Sequence, residues 1–154
     1  MKNYGLSKSR ITAFEQCPKK LWLSVHKREV AETQSQSELR FAAGHEVGAI
    51  ACDLAPGGVM IEAQPDLKTA LKQTTGLLQD GHRLPIYEAT FVHDGVLIQA
   101  DILEPCGKNA WRMAEVKSST GVKDYHLGDL ATQIWVMENC GIELEEAAIR
   151  HINT

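Results

Sequence analysis

Residues 101–119 read DILEPCGKNAWRMAEVKSS. An aspartate closes one apolar run here, and Glu-Val-Lys closes the next. Val96, Leu97, Ile98 and Ala100 precede Asp101, while Met113, Ala114 and Val116 surround Glu115. Both runs read as strands, joined by the loop EPCGKN at 104–109. Glu115 and Lys117, two apart on a strand, leave the same face. If the two strands are antiparallel neighbours, the short connection brings Asp101 beside Glu115. Charges embedded in apolar strands are rarely idle, because burying them without a partner costs several kcal/mol. Glu-x-Lys alone is a weak signal, since exposed strands often carry such pairs as surface salt bridges of little worth.

Outward from this stretch, PIYEATFVH (85–93) is a third β-rich run, and Asp94-Gly95 marks a hairpin into the strand of Asp101. After it, 125–141 reads as a helix and 144–153 as a final strand. The N-terminal half is helical. Residues 6–27 have Ser7 as N-cap and an apolar stripe through Ile11, Phe14, Leu21, Trp22 and Val25, with Pro18 either kinking this helix or starting a second. AETQSQSE (31–38) is a loop or a helix start, 39–55 a helix closed by the turn at 56–58, 59–63 a short strand and 66–81 a helix. Helices, three strands, a helix and a strand predict an α/β fold: a mixed sheet flanked by helices, with an N-terminal helical segment.

At 154 residues the chain is one domain's worth, and its 44% apolar content suffices for a core and argues against disorder. No apolar stretch approaches a membrane span, and MKNYGLSKSR lacks the apolar run of a signal peptide. A cytoplasmic protein with reduced cysteines and no membrane partner is expected. Cys17, Cys52, Cys106 and Cys140 form no Cys-x-x-Cys pair, which argues against a zinc site built from them. The net charge of −4 hides a polarised chain, with seven basic and two acidic residues in the first 30. Lys8, Arg10, Lys19 and Lys20 are candidates for contact with a nucleic-acid backbone; a solvated helix face is the plainer reading.

Two carboxylates held close repel unless something positive lies between them. A divalent ion meets this need, because Mg²⁺ binds through one or two carboxylates and keeps its waters for substrate. Asp101, Glu115 and the backbone carbonyl of Val116 are the candidate ligands for Mg²⁺ or Mn²⁺. Lys117 is a point charge able to orient and acidify a water that attacks phosphorus. Glu88, Ser118 and Ser119 are cleft candidates, although an edge-strand charge and loop serines need no such role. Trp22, Trp111 and Trp135 are too scattered for a base-stacking platform and read as core.

In these residues the chain resembles the PD-(D/E)XK nuclease superfamily. It is most similar to the RecB-like branch, which holds the CRISPR-associated adaptation exonucleases, and to a related bacterial domain family of uncharacterised function. The resemblance spans nearly the whole chain and implies a single restriction-endonuclease-like domain over 1–154. It implies a metal-dependent deoxyribonuclease, exonuclease-like, acting on DNA ends or single strands. Asp101 stands at the metal aspartate and Glu115-Val116-Lys117 at the D/E-x-K element. Gln133 matches the glutamine of a Gln-x-x-x-Tyr motif whose tyrosine position is Met137. A Gly-x-x-x-His motif is matched by Gly44, with Gly48 at the histidine position and Glu46 or His45 as substitutes one turn away; Glu46 is the preferred stand-in as a metal ligand, and the plainer reading of His45 is a surface residue. FEQCPKKLWL matches a segment whose cysteine, here Cys17, ligates an iron–sulfur cluster in relatives. The remaining three cysteines lack the spacing, so no cluster is expected in this chain, and Cys17 reads as a buried helix cysteine. Relatives continue beyond the final strand, which implies a longer protein with a further domain or partner. The alternative is a catalytically silent or partner-dependent DNA-binding module of the same fold, favoured by the missing tyrosine and histidine.

Overall fold

The computed structural model describes residues 5–30, 34–64 and 66–153, with the side chains of 34–41 excepted. In chain order the elements are β1 (Leu6–Ser7), α1 (Lys8–Gln16), α2 (Pro18–His26), a 3₁₀ turn (Arg28–Val30), α3 (Gln34–Asp53), β2 (Val59–Met60), α4 (Leu67–Gln79), β3 (Ile86–His93), β4 (Val96–Cys106), β5 (Ala110–Lys117), α5 (Asp124–Asn139) and β6 (Leu144–His151). They build an α/β fold around one mixed six-stranded sheet, ordered β2-β3-β4-β5-β6 with β1 against β4. The meander β3–β4–β5 is antiparallel, and α5 crosses over to lay β6 parallel to β5.

Adjacent residues on a strand enter different apolar clusters, so both faces of the sheet are covered. One cluster holds Ile86, Phe91, Ile98, Leu103 and Met113 with Val136 and Met137 of α5 and Ala70 of α4. The other holds Tyr87, Ile102 and Ala114 with Ala51 and Ala55 of the α3 segment. The alternation slips once on each of two neighbouring strands. Ile86 and Ala89 share the first cluster with Glu88 between them and φ +58 at Glu88. Ala100 and Leu103 likewise share it across Asp101. The β3–β4 ladder pairs Tyr87 with Ile102 and Ala89 with Ala100 but omits Glu88 and Asp101 between them. Both strands are therefore irregular at one level, and both irregular positions are carboxylates.

Asp101 also lies at a fork. β5 pairs with β4 only over Ile102–Cys106, and β1 takes the same side at Val96 and Leu97. The strand bearing Asp101 is thus flanked by β5 at one end and by the N-terminal arm at the other.

Several boundaries differ from the sequence reading. β4 runs to Cys106, so the connection is only Gly107-Lys108-Asn109 rather than all of 104–109. Pro105 is tolerated because β3 ends opposite Leu103, leaving one side of β4 as an edge there. Of the two readings at Pro18, the start of a second helix is the one found within 6–27. Ser7 does cap the first, accepting from the Arg10 N–H, and Pro18 opens the second at a position where its missing N–H costs nothing. Leu6 and Ser7 form a strand rather than helix. α3 starts at Gln34, in line with the helix-start reading of 31–38, whose residues 31–33 lie outside the described residues. Only Trp111 of the three tryptophans is core; Trp22 and Trp135 are 53% and 43% exposed. Trp22 stacks on His26 along α2, a helix with no buried residue. Cys17 is exposed at the α1–α2 break rather than buried. Among the described residues, no helix is long and apolar enough to cross a membrane.

Candidate functional site

The β4–β5 register, Ile102 opposite Ala114, makes Asp101 and Glu115 the next facing positions. The ladder stops before them. Instead the Val116 N–H donates to Asp101 Oδ2 at 2.6 Å, so a side chain replaces the strand's own carbonyl. Glu115 is 2% exposed and fully partnered. Its Oε1 accepts from Lys117 Nζ at 2.8 Å and from Lys8 Nζ at 2.7 Å, and its Oε2 accepts from Gln133 Nε2 at 2.7 Å. Lys117 also donates to Asp129 Oδ2 at 3.0 Å. Thr12 of α1 donates to the other oxygen of Asp129. Asp129 and Gln133 are four apart on α5 and so share a face. Gln133 Oε1 is buried without a hydrogen-bond partner.

On the α3 side, Asp101 opens onto a cavity of about 630 Å³ lined by His45, Gly48, Cys52, Glu88 and Val116 among others. Glu115 is not on its wall and lies behind, against α1 and α5. The electrostatics of the two acids are opposite. Burial, with repulsion from Glu115, pushes the Asp101 carboxyl up to about 7. Burial acts on Glu115 in the same sense, but Lys8 and Lys117 outweigh it and hold that carboxyl below its ordinary value. Glu88 is raised, chiefly by burial. Lys117 loses from burial and gains more from Glu115 and Asp129, so its ammonium is firmly charged. The arrangement thus carries one acid short of positive charge and one saturated with it.

Glu115, Lys117 and Gln133 are bonded to one another, and Asp101 reaches the same strand end through the Val116 N–H. Glu88 joins them across the irregular pair of strands, and Val116 lines the cavity with its N–H given to Asp101. Glu46 does not join: it is exposed and off the cavity wall, whereas His45 is on it. The cause is helical phase, since positions 45, 48 or 49, and 52 form one stripe of α3 and 46 is turned about 100° away. Ser119 is structural, its hydroxyl donating to the Gly121 carbonyl and its carbonyl accepting from the Ile152 N–H. Ser118 is exposed. Of the basic arm, Arg10 donates to the Gly5 carbonyl and Lys20 to Gln16, while Lys19 is exposed on α2. Lys8 is turned inward to Glu115 rather than out to solvent.

Sequence reading missed two members, Asp129 and Lys8 as a partner of Glu115, and it preferred Glu46 to His45, which is the one on the cavity wall. Asp129 carried a usable signal in its spacing of four from Gln133. Lys8 carried none, because 107 residues separate it from Glu115.

The carboxylates here are oxygen donors of the kind a hard divalent cation takes, and Asp101 is under-neutralised, with His45 and Cys52 also on the cavity wall. Asp101 and Glu115 would hold it, with Glu88 at the cavity edge. Access to Glu115 Oε1 requires an ammonium to leave, and among the described residues no three His, Cys, Asp or Glu side chains are grouped to hold a metal ion. No family model, curated protein or solved structure matches this chain.

Proposed function

We propose that the chain is a metal-dependent nuclease with a restriction-endonuclease-like core, hydrolysing DNA phosphodiester bonds in an exonuclease-like manner. The observation that carries this reading is that Asp101 takes the Val116 N–H, beside Glu115, at the β4–β5 fork, with Lys117 and Gln133 both bonded to Glu115. An aspartate and a Glu-x-Lys element on adjacent strands, joined by a glutamine from the next helix, is the constellation that the sequence resemblance implies. When bound, Mg²⁺ or Mn²⁺ would supply charge neutralisation at the phosphate and a more acidic water.

The protein's own part is positioning. Gln133 donates to Glu115 Oε2 and holds that carboxylate from α5. Asp129, held by Thr12, keeps the Lys117 ammonium from being a mobile surface charge. A preorganised cation of this kind acts on the charge that develops at an attacking water and a phosphate oxygen, without reorganisation during the reaction. Lys117 is the residue proposed to hold and polarise that water. Asp101, short of positive charge, supplies the main attraction for the ion.

A second reading is supported by the saturation of Glu115: a DNA-binding module that keeps the fold and does not cleave. The two are separated by incubating labelled single- and double-stranded DNA with the protein in Mn²⁺ or in EDTA. Products that need Mn²⁺ and vanish in Lys117→Ala support the nuclease. DNA binding without products on either substrate favours the module.

A further inference from the structure

We propose that Lys8 is an exchangeable counter-cation of Glu115, so that its ammonium and a divalent ion compete for Glu115 Oε1. The inference rests on the metal reading above and adds a residue to it. Lys8 belongs to the N-terminal arm, yet the arm is built to deliver it. β1 ties Leu6 and Ser7 to β4, Ser7 caps α1, and Thr12 one turn on from Lys8 bonds Asp129. The ammonium so delivered is 2.7 Å from Glu115 Oε1; its field helps hold Glu115 below its ordinary value and opposes the rise of Asp101 and Glu88.

Two ammonium groups share that one oxygen, and they are not equivalent. Lys117 has Asp129 as a second partner and is carried by the same strand as Glu115, so it stays in place if Oε1 is taken by something else. Lys8 has Glu115 as its ion-pair partner, and its side chain is 22% exposed against 2% for Glu115. A lysine stem has four rotatable bonds, so its head can turn to water at little cost. Lys8 is therefore the cation that leaves. Once displaced it stands beside the carboxylates with a free positive charge, where the phosphate of a nucleic acid can take it up. The arm's charge is then available to substrate only after the ion has arrived.

The test is a calorimetric Mn²⁺ titration of the full chain: wild type, Lys8→Met, Lys8→Gln, Lys8→Arg and Thr12→Val. Glu115 retains Lys117 and Gln133 in every variant, so the fold is preserved, and circular dichroism checks this. Lys8→Met and Lys8→Gln should bind Mn²⁺ about tenfold to a hundredfold tighter, the range in which a charge-assisted bond to a buried carboxylate acts. Lys8→Arg, which keeps the charge, should stay near wild type. Thr12→Val loosens the arm that delivers Lys8 without removing charge and should tighten Mn²⁺ binding by less than Lys8→Met does. Unchanged or weaker Mn²⁺ binding by Lys8→Met and Lys8→Gln overturns the proposal while leaving the metal reading intact. So does an equal tightening in Thr12→Val, which would make the effect one of arm docking. Absence of Mn²⁺ binding in every protein removes both.

Discussion

Replacing Asp101 by asparagine should stabilise the metal-free protein at neutral pH and not at acid pH. The Asp101 carboxyl titrates at about 7 in the folded chain, against about 3.9 for an unfolded aspartate. Its folded pKa lies above the unfolded one, so the native state binds the extra proton between these values. Stability from this group is fully present below pH ~4, is lost as pH rises through about 7, and stays lost above. At about 1.4 kcal/mol per pH unit, the gap corresponds to about 4 kcal/mol of strain in the ionised form. Asparagine still accepts the Val116 N–H but buries an amide N–H₂ that costs about 1–2 kcal/mol. The net gain at pH 8 should then be about 2–3 kcal/mol, and at pH 4 the variant should be slightly less stable than wild type. Urea unfolding in EDTA at pH 4, 6 and 8 reads the difference between the two proteins, which cancels the other titrating groups. A difference that does not change with pH, or that favours wild type at pH 8, refutes the reasoning.

Lys117→Ala should lower Mn²⁺-dependent cleavage by about a hundredfold while Mn²⁺ binding survives, measured by single-turnover assay and titration. Gly58→Ala should destabilise the fold by about 1–3 kcal/mol, read as a drop of about 2–4 °C per kcal/mol in the melting temperature. Its Cβ would lie 2.6 Å from Tyr87 Oη, an atom held by bonds to the Gly58 N–H and the carbonyls of Ala55 and Cys52. Neutralising Lys19 and Lys20 together should make the salt dependence of DNA affinity shallower by about 1–2 in log–log slope if both touch phosphates, and an unchanged slope returns them to a solvated face.

The parts of the site that were legible in the sequence are those fixed by local geometry. Apolar alternation marks β4 and β5, the i, i+2 spacing puts Glu115 and Lys117 on one face, and the short turn makes the strands neighbours. Gln133 came from the resemblance and proved to bond Glu115. What was not legible depends on phase or on distant contacts. Choosing between His45 and Glu46 needs the rotation of α3 about its axis, which flanking glycines do not reveal. The slip at Glu88 shows only when the facing strand slips at the same level. β1 is two residues long, too short for any periodicity, yet it steers Lys8 into the site. Trp22 looks like core because it falls on an apolar stripe, but no described residue of α2 is buried.

The central claim is that Asp101 and Glu115 together hold a divalent ion. A calorimetric Mn²⁺ titration of wild type and Asp101→Asn, at pH 8, tests it directly. One site is predicted per wild-type chain, with affinity falling as pH drops through about 7, where protonation of Asp101 competes. Asp101→Asn should lose that site while remaining folded. Wild type that takes up no Mn²⁺ in this titration, or Asp101→Asn that binds Mn²⁺ as tightly as wild type, would contradict the account.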